Sequence, residues 1–375
     1  MRLPVLFLLF HCIVALPQKI LHGKVVDAQT GQALEGANVF VANTTRQTLT
    51  NEAGQFSIVM PEEAAQLVLT FVGYSPQVLT SAEFPDRLVR YVVPMQPETN
   101  ELRPVAVLSK KRRDQLLKQF YAHFLGTSAN ARETRLLNPD EIIFYLNDDD
   151  SWEASAAEPL QIENPNLNYK LDFVLTLFKM MPRDNKCVYM GYPSFSDLKT
   201  TTRKHRGARL QAYMGSQMHF LRSAYQNTTS AEGFHINQYK LELNPMYTPV
   251  VKLDSAYARQ RVPTKEIQPK YIVKYLAKNI DASYFVTGEN SVRYLSFTEY
   301  LEVTYLDGFE EEAFAQMRHG HKSHPVSHIN METAKARIFP DGNIEALETV
   351  IFNGYMGWKK IADLVPIDYQ PEPSK

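Results

Sequence analysis

Short apolar runs that recur about every ten residues are the feature that most constrains the fold of this chain. The runs are Ile20–Val26, Ala37–Ala42, Phe56–Val59, Leu67–Val72 and Leu88–Val93. Turn-forming strings separate them, namely Asp27–Gly31, Asn51–Gly54 and Gly73–Tyr74. Evenly spaced short strands of this kind predict a β-sandwich. We expect Phe56 and Leu69 to fill its interior. Gly31, Gly54 and Gly73 are expected in turns that a side chain would strain.

Five strings in the same region follow one another in the order and spacing of a known family. They are Gly23–Asp27, Thr30–Gly31, Leu34–Val39, Thr48–Ile58 and Phe71–Tyr74. Together they resemble the carboxypeptidase regulatory-like domain, which is similar to the extension that begins many TonB-dependent outer-membrane transporters. The resemblance implies a transthyretin-like β-sandwich with a structural or interaction role and no active site of its own. Asn51 stands where the family more often has aspartate, and both residues can cap a turn.

The first 17 residues have the pattern of a signal peptide. A positively charged start precedes the apolar stretch Pro4–Leu16, which is too short to cross a bilayer as a helix. His11 disfavours lipid attachment at Cys12, so we expect cleavage and a mature chain whose only cysteine is Cys187. No later stretch reaches the roughly 18 apolar residues of a membrane helix. We therefore expect an exported protein in the periplasm or at the outer membrane, with secretion as the alternative.

The rest of the chain is predicted to be a sandwich, a linker and a larger domain. The sandwich spans 18–97, a linker with a basic amphipathic helix spans 98–126, and an α+β domain spans 127–375. Apolar residues recur at i, i+4 and i+8, which predicts a helix over Lys110–Leu125, with Ser109 as N-cap and Gly126 as stop. The predicted fold class is therefore β-rich, with an N-terminal transthyretin-like β-sandwich followed by an α+β domain.

Two groups of basic residues are candidates for an interaction surface. The first group opens the predicted helix, where the helix dipole disfavours cations, and consists of Lys110, Lys111, Arg112 and Arg113. The second contains Lys204 and Arg206, at the start of a helical pattern that extends to Tyr225. An acidic partner or membrane headgroups could bind such residues, and solvated helix starts are the alternative. The formal net charge of -1 does not favour nucleic acid as a partner.

The α+β domain is predicted to be rich in strands. Two of them form a hairpin, Ile142–Leu146 and Trp152–Ser155, around an aspartate-rich turn that lacks the spacing of an EF-hand. Further strands are predicted at Tyr169–Met181, Lys186–Gly191, Ile236–Leu243, Tyr271–Leu276, Tyr284–Thr287 and Phe297–Leu306. A long loop is predicted at Asn244–Pro269, and a final helix at Trp358–Val365.

A second set of strings is spread over this domain. They are Phe124–Ser128, Ile162–Asn164, Gly191–Pro193, Gly215–Ser216 with His219–Arg222, and Gly354–Trp358. Their combination is similar to uncharacterised exported proteins that carry the regulatory-like domain before a region of unknown function. This resemblance implies architecture and localisation only, because it names no reaction.

Four histidines crowded into eleven residues are the candidate metal ligands. They are His319, His321, His324 and His328, and imidazoles at this spacing can reach one zinc or copper ion. Arg318 and Lys322 would repel a cation, so a polar surface loop is favoured over a metal site. His219 is predicted to be a hydrogen-bonded core histidine, with a polar cluster that includes Tyr213 and Arg222 as the alternative.

Sequence motifs of catalysis do not occur. The chain has no His-Glu-x-x-His, no Gly-x-Ser-x-Gly and no phosphate-binding loop, so no catalytic residue and no cofactor is predicted. The predicted function is that of a non-catalytic binding or assembly protein of the cell envelope, with an envelope protein, a glycan or peripheral membrane contact as partner. The alternatives are an exported hydrolase, metal-assisted through the histidines, and an accessory component of an outer-membrane transport system. The oligomeric state stays open.

Overall fold

The chain divides into two compact units in a computed structural model. The first comprises residues 1–42 and 46–100, and the second comprises residues 43–45 and 101–375. The structure describes residues 19–61, 66–80, 83, 90–98, 108–184, 186–247, 269–289, 291–318, 320–346 and 349–372. The predicted signal peptide and most of the predicted loop Asn244–Pro269 lie outside these ranges.

Two sheets build the first unit. Its strands are β1 (Lys19–Asp27), β2 (Asn38–Val41), β3 (Gln47–Leu49), β4 (Gln55–Met60), β5 (Gln66–Thr70), β6 (Gln77–Thr80) and β7 (Tyr91–Met95). One sheet has the order β4-β1-β7, with β1 and β7 parallel, and the other has the antiparallel order β3-β2-β5-β6. Phe56 and Leu69 lie in the core between them, as predicted. The sequence patterns missed β3 and β6, because these edge strands are short and only partly buried.

The turns of this unit depend on glycine and asparagine. Gly31, Gly54 and Gly73 have φ values of 71°, 71° and 79°, which confirms the prediction that they occupy left-handed turn positions. The Asn51 carboxamide oxygen accepts hydrogen bonds from the backbone N–H groups of Ala53 and Gln55. Asparagine therefore closes this turn as an aspartate would.

Among the described residues of the first unit, Asp27 is the carboxylate with the most hydrogen bonds. The Tyr74 hydroxyl donates to its Oδ2 at 2.6 Å, and the backbone N–H groups of Gln29 and Thr30 donate to its Oδ1 at 2.8 and 2.7 Å. These hydrogen bonds lower the pKa of Asp27 to about 2. The one from Tyr74 has the largest effect, and the one from the Thr30 backbone has the next largest. The carboxylate thus joins the β1 turn to the turn that follows β5.

The second unit begins with a helix on an antiparallel sheet. Its helices here are α1 (Lys110–Phe124) and α2 (Ala129–Glu133). Its strands are β8 (Arg135–Leu136), β9 (Ile142–Leu146), β10 (Trp152–Ala156), β11 (Leu160–Asn164), β12 (Tyr169–Met181) and β13 (Lys186–Asp197). The sheet order is β8-β11-β12-β10-β9, with β13 paired to β12. Phe120 and Phe124 of α1 are fully buried, and the ring of Phe120 lies 4.6 Å from that of Phe178. The predicted helix, its N-cap Ser109 and the β9-β10 hairpin are confirmed.

A second hydrophobic cluster forms around another antiparallel sheet. The remaining helices are α3 (Arg203–Tyr213), α4 (Gln217–Gln226), α5 (Ala282–Phe285), α6 (Glu312–Arg318) and α7 (Tyr355–Trp358). The strands are β14 (Phe234–Leu243), β15 (Tyr271–Ile280), β16 (Val286–Thr287), β17 (Arg293–Leu295), β18 (Tyr300–Tyr305), β19 (Val326–Met331), β20 (Ala336–Ile338) and β21 (Val350–Gly354). The main sheet has the order β15-β14-β18-β19-β21, and β16-β17-β20 form a small one. Helix α4 packs Phe220 and Leu221 into this cluster.

Three local predictions in the second unit need correction. The predicted strand Tyr284–Thr287 is wrong at its start, because Asp281 caps the short helix α5 there. The predicted final helix is wrong after Trp358, because the backbone becomes extended at Lys359 and only a short 3-10 helix, Ile361–Asp363, follows. The helical pattern up to Tyr225 is divided between α3 and α4, since Gly215 turns the chain with a φ of 70°.

Among the described residues, no helix has both the length and the apolar character needed to cross a membrane.

Gly54 provides a test of backbone geometry in the first unit. A Cβ atom at this position would lie 2.5 Å from the carbonyl oxygen of Val25, whereas one at Gly31 would meet no atom within 4 Å. Both glycines have the same φ of 71°. We expect Gly54→Ala to lower the free energy of unfolding by about 3 kcal/mol or more, and the control Gly31→Ala by about 1 kcal/mol. Native-state hydrogen exchange of β1 and β4 in the full chain measures both, and equal losses would contradict the role of the close contact.

The Asp27 carboxylate gives the first unit a defined acid sensitivity. Its folded pKa of about 2 lies below the ordinary value for an aspartate, so its stabilising effect is present above about pH 4. This stabilisation is lost as the pH falls from about 4 towards 2. We expect Asp27→Asn to remove this part of the pH dependence, and Tyr74→Phe to reduce it. Hydrogen exchange of β1 across this pH range is the measurement, and an unchanged profile in Asp27→Asn would exclude the carboxylate as its source.

Candidate functional site

A buried carboxylate in the second unit accepts two hydrogen bonds from a distant part of the chain. Asp363 is 5% exposed, and its Oδ1 accepts from the Ser128 hydroxyl at 3.0 Å and from the Asn130 amide at 2.9 Å. Ser128 is also the N-cap of α2, since its oxygen accepts from the Ala131 backbone N–H. The other carboxylate oxygen of Asp363, Oδ2, is buried without a hydrogen-bond partner among the described residues.

The positive partner of this carboxylate is Lys359. Its ammonium group pairs with Glu311 and lies 3.4 Å from Oδ1 of Asp363. Burial alone would lower the pKa of Lys359, but the nearby Asp363, Tyr355 and Glu311 more than offset burial and raise it. Glu311 also accepts the backbone N–H of Ala129 at 2.8 Å. A lysine with two carboxylates therefore joins the start of α2 to the residues that follow α7.

Three of the strings identified in the sequence meet in this network. The amide of Asn164 donates to the carbonyl of Ala362 at 2.7 Å, and the indole N–H of Trp358 donates to the Thr127 hydroxyl at 3.1 Å. The strings that contain Thr127, Asn164 and Trp358 are thus close in space although they are far apart in sequence. The network stabilises the junction of these segments, which gives Thr127, Asn164 and Trp358 a structural role.

An apolar cavity of about 230 Å³ adjoins the network. Met218, Leu221 and Met356 contribute apolar walls, and Lys359 and Asp363 contribute polar groups. A carboxylate and an ammonium group at the wall of an apolar cavity can hold water or one small polar group.

His219 is the core histidine that the sequence predicts. It is 2% exposed, its Nδ1 accepts the backbone N–H of Gly215 at 3.0 Å, and its Nε2 lies 3.1 Å from Glu232. Burial is the main cause that lowers its pKa. Arg222, which is also buried, donates to the backbone carbonyls of Asp341, Ile367 and Tyr369. Both ring nitrogens of His219 therefore have hydrogen-bond partners that fix the ring in the core.

The predicted basic residues occupy two helices. On α1, Lys110, Lys111 and Arg112 are exposed, whereas Arg113 turns inward and donates to the carbonyls of Pro139 and Ile142. On α3, Lys204 is exposed and Arg206 pairs with Glu372 at 3.3 Å. A groove of about 850 Å³ beside α3 contains both signs of charge, with Arg203 and Arg206 as well as Asp368 and Glu372. A role of these cations in binding stays a prediction.

The histidines proposed as metal ligands have separate surroundings. His321 is exposed, His324 lies 2.9 Å from the carbonyl of Gly308, and His328 in β19 lies 3.0 Å from the Tyr239 hydroxyl. His319 lies outside the described residues. The part of the chain that the structure describes contains no group of three His, Cys, Asp or Glu side chains arranged around a metal site. The four-histidine metal site stays a prediction.

Cys187 is a partly buried free thiol in β13. Burial raises its pKa to about 11, so the thiolate fraction near neutral pH is small. This environment favours an unreactive cysteine over a nucleophile.

The strands β14 and β15 form a two-stranded ribbon with one exposed apolar face. Directly opposed residues in the two strands point to the same face, and the pairs are Tyr239 with Tyr275, Leu241 with Val273, and Leu243 with Tyr271. We call the five outer residues of this face the apolar strip: Leu241, Leu243, Tyr271, Val273 and Tyr275. Their exposure ranges from 39% for Tyr275 to 63% for Leu243. A contiguous exposed apolar surface of this kind is typical of an interaction site.

Polar groups hold the inner end of the apolar strip in place. The Tyr275 hydroxyl donates to Glu302 at 3.1 Å, and the Asn237 amide donates to the same carboxylate at 3.0 Å. The Tyr239 ring stacks on that of Tyr300 at 5.2 Å. The sequence predicted a strand over Ile236–Leu243, but it gave no signal that this face is uncovered.

Comparisons with known proteins identify a family for the amino-terminal region. Residues 21–107 match the sequence model of the CarboxypepD_reg-like domain, which confirms the family predicted for this region. No curated protein matches the chain. A solved structure from Bacteroides fragilis NCTC 9343, described as a candidate membrane-associated protein of unknown function, matches with 9% identity and a TM-score of 0.16. The match covers 90% of this chain and 95% of that one, and a TM-score this low gives no support for a shared fold.

The hydrogen-bonding network around Asp363 predicts that substitution of this buried carboxylate strongly lowers the stability of the fold. Asp363→Ala removes the acceptor for Ser128, Asn130 and Lys359, so we expect a loss of about 3–5 kcal/mol in the free energy of unfolding. Asp363→Asn keeps one acceptor and should cost about 1–3 kcal/mol. The control is Asp150→Asn, whose carboxylate forms an exposed ion pair with Arg183 and should change stability little. Urea unfolding of the full chain measures all three variants, and an Asp363→Ala effect as small as the control would contradict the role of the network.

Proposed function

We propose that this chain is an exported, non-catalytic binding or assembly protein of the bacterial cell envelope. The observation that carries the proposal is the apolar strip on the β14-β15 ribbon. Five large apolar side chains lie side by side on one face and are exposed to water. Such a surface is unfavourable in water, and binding a partner would remove it from solvent.

Two features of the chain support a binding role over catalysis. The CarboxypepD_reg-like domain in residues 21–107 resembles an accessory domain that has no active site of its own. In the second unit, burial raises the pKa of the Cys187 thiol to about 11. A thiol with a raised pKa is poorly suited to act as a nucleophile.

Export and envelope location rest on the amino-terminal sequence. A positively charged start and the apolar stretch Pro4–Leu16 have the pattern of a leader, and cleavage would release the chain outside the cytoplasm. Either a periplasmic or an outer-membrane-associated location would then expose the apolar strip to envelope components.

Binding to isolated envelopes tests the proposal. We expect the full chain, produced in bacterial cells, to be recovered outside the cytoplasm, and the purified protein to sediment with washed envelope fragments. The variant Leu243→Ser/Val273→Ser should lose most of this binding. The control Leu49→Ser/Val72→Ser should retain it, because Leu49 is 63% exposed, as is Leu243, and Val72 is also exposed.

Two experimental results would contradict the proposal. Recovery of the full chain in the cytoplasm would contradict export. Equal envelope binding by the strip variant and the control would exclude the apolar strip as the contact surface.

A further inference from the structure

We propose that the apolar strip binds the surface of a lipid bilayer that contains anionic headgroups. This inference rests on the proposed function, and it specifies the partner of the same surface. Leu241, Leu243 and Val273 supply aliphatic side chains, and Tyr271 and Tyr275 supply amphipathic rings. Aliphatic side chains favour the acyl region, whereas tyrosine favours the boundary between acyl chains and headgroups.

A lysine lies beside the tyrosine at each end of the apolar strip. The ammonium group of Lys270 is 5.2 Å from the centroid of the Tyr271 ring, and that of Lys278 is 4.7 Å from the centroid of the Tyr275 ring. Both lysines are exposed. A long lysine side chain can lie along an apolar surface while its ammonium group reaches the headgroups. The two ends of the strip can therefore contact anionic lipid while its centre is buried among acyl chains.

The opposite face of the ribbon is mixed, because the exposed Ile272 and Leu276 lie there beside charged residues. Lys240 and Lys274 both pair with Glu242, at 2.8 and 3.2 Å. These ion pairs would stay in water if the ribbon lay flat on a bilayer with its apolar strip downward. The charged side chains of Lys240, Glu242 and Lys274 therefore lie on the face away from the apolar strip, so the strip can enter an interface without burying them.

The charge of the ribbon favours lipid over a second copy of the chain. Lys270 and the two strands together contain four lysines and one glutamate, Glu242, so positive charge is in excess. The carboxylate of Glu302 at the inner end is hydrogen-bonded by Tyr275 and Asn237. Two ribbons that met face to face would bring like charges together, whereas anionic headgroups would neutralise them.

Vesicle binding of the full chain tests the inference. The probes are vesicles of phosphatidylcholine and phosphatidylglycerol in equal amounts, and vesicles of phosphatidylcholine alone. We expect sedimentation with the mixed vesicles, weaker binding to phosphatidylcholine, and a loss of affinity for the mixed vesicles as salt rises. Leu243→Ser/Val273→Ser should lower the affinity for mixed vesicles at least about tenfold, whereas Leu49→Ser/Val72→Ser should leave it unchanged.

A second pair of variants tests the lysines. Lys278→Gln should lower the affinity for mixed vesicles about fivefold and leave phosphatidylcholine binding unchanged. The matched control is Lys335→Gln, because Lys335 is exposed and its ammonium group is also 4.7 Å from a tyrosine ring, that of Tyr294. Thermal unfolding of each variant verifies that these exposed substitutions leave the fold intact.

Several results would overturn the inference. They are no binding of the wild-type chain to either vesicle, unchanged binding by the strip variant, and equal effects of Lys278→Gln and Lys335→Gln. Light scattering that shows a dimer dissociated by Leu243→Ser/Val273→Ser would assign the strip to a second copy instead. If envelope fragments bind the wild-type chain through the strip but lipid vesicles do not, the proposed function stands and the lipid partner is wrong.

Discussion

The ion pair between Lys359 and Asp363 is the interaction on which the junction of the second unit depends. Ser128 and Asp363, which share a hydrogen bond, are separated by 235 positions in the sequence. Taking these charges out of water is costly, so they are stable there only because Glu311, Ser128 and Asn130 complete the hydrogen-bonding network. The network stops the last helix at Trp358, since Lys359 must turn inward to reach its partners.

The ribbon of β14 and β15 differs from this buried network because its apolar strip is exposed to water. In the buried network every chain segment is held by several polar partners. Among the strands that the structure describes, β15 is an edge strand and pairs only with β14. Edge strands with exposed apolar residues are prone to association, and natural proteins usually protect them. The lysines and the ion pairs of Glu242 limit association between like-charged copies, while the apolar strip remains open to a partner of opposite charge.

Much of the fold follows from local sequence patterns. The positive-φ turns at Gly31 and Gly54, the cap of α1 at Ser109 and the long strand Tyr169–Met181 are all readable from residue type and spacing. The errors occur where tertiary contacts override local preference. Lys359 ends a helix because of a buried ion pair, and Asp281 begins a short helix inside a segment whose apolar residues suggest a strand.

The candidate site was less accessible to sequence reasoning than the fold. The alternation of apolar and polar residues in β14 and β15 determines which side chains share a face, because successive residues of a strand point to opposite sides. Only the tertiary structure decides which face is covered, since burial depends on elements far away in the sequence. The sequence by itself therefore determined the regulatory-like sandwich, the main strands and the charge of the ribbon. The packing of the second unit decided that Asp363 is buried and that the apolar strip is exposed.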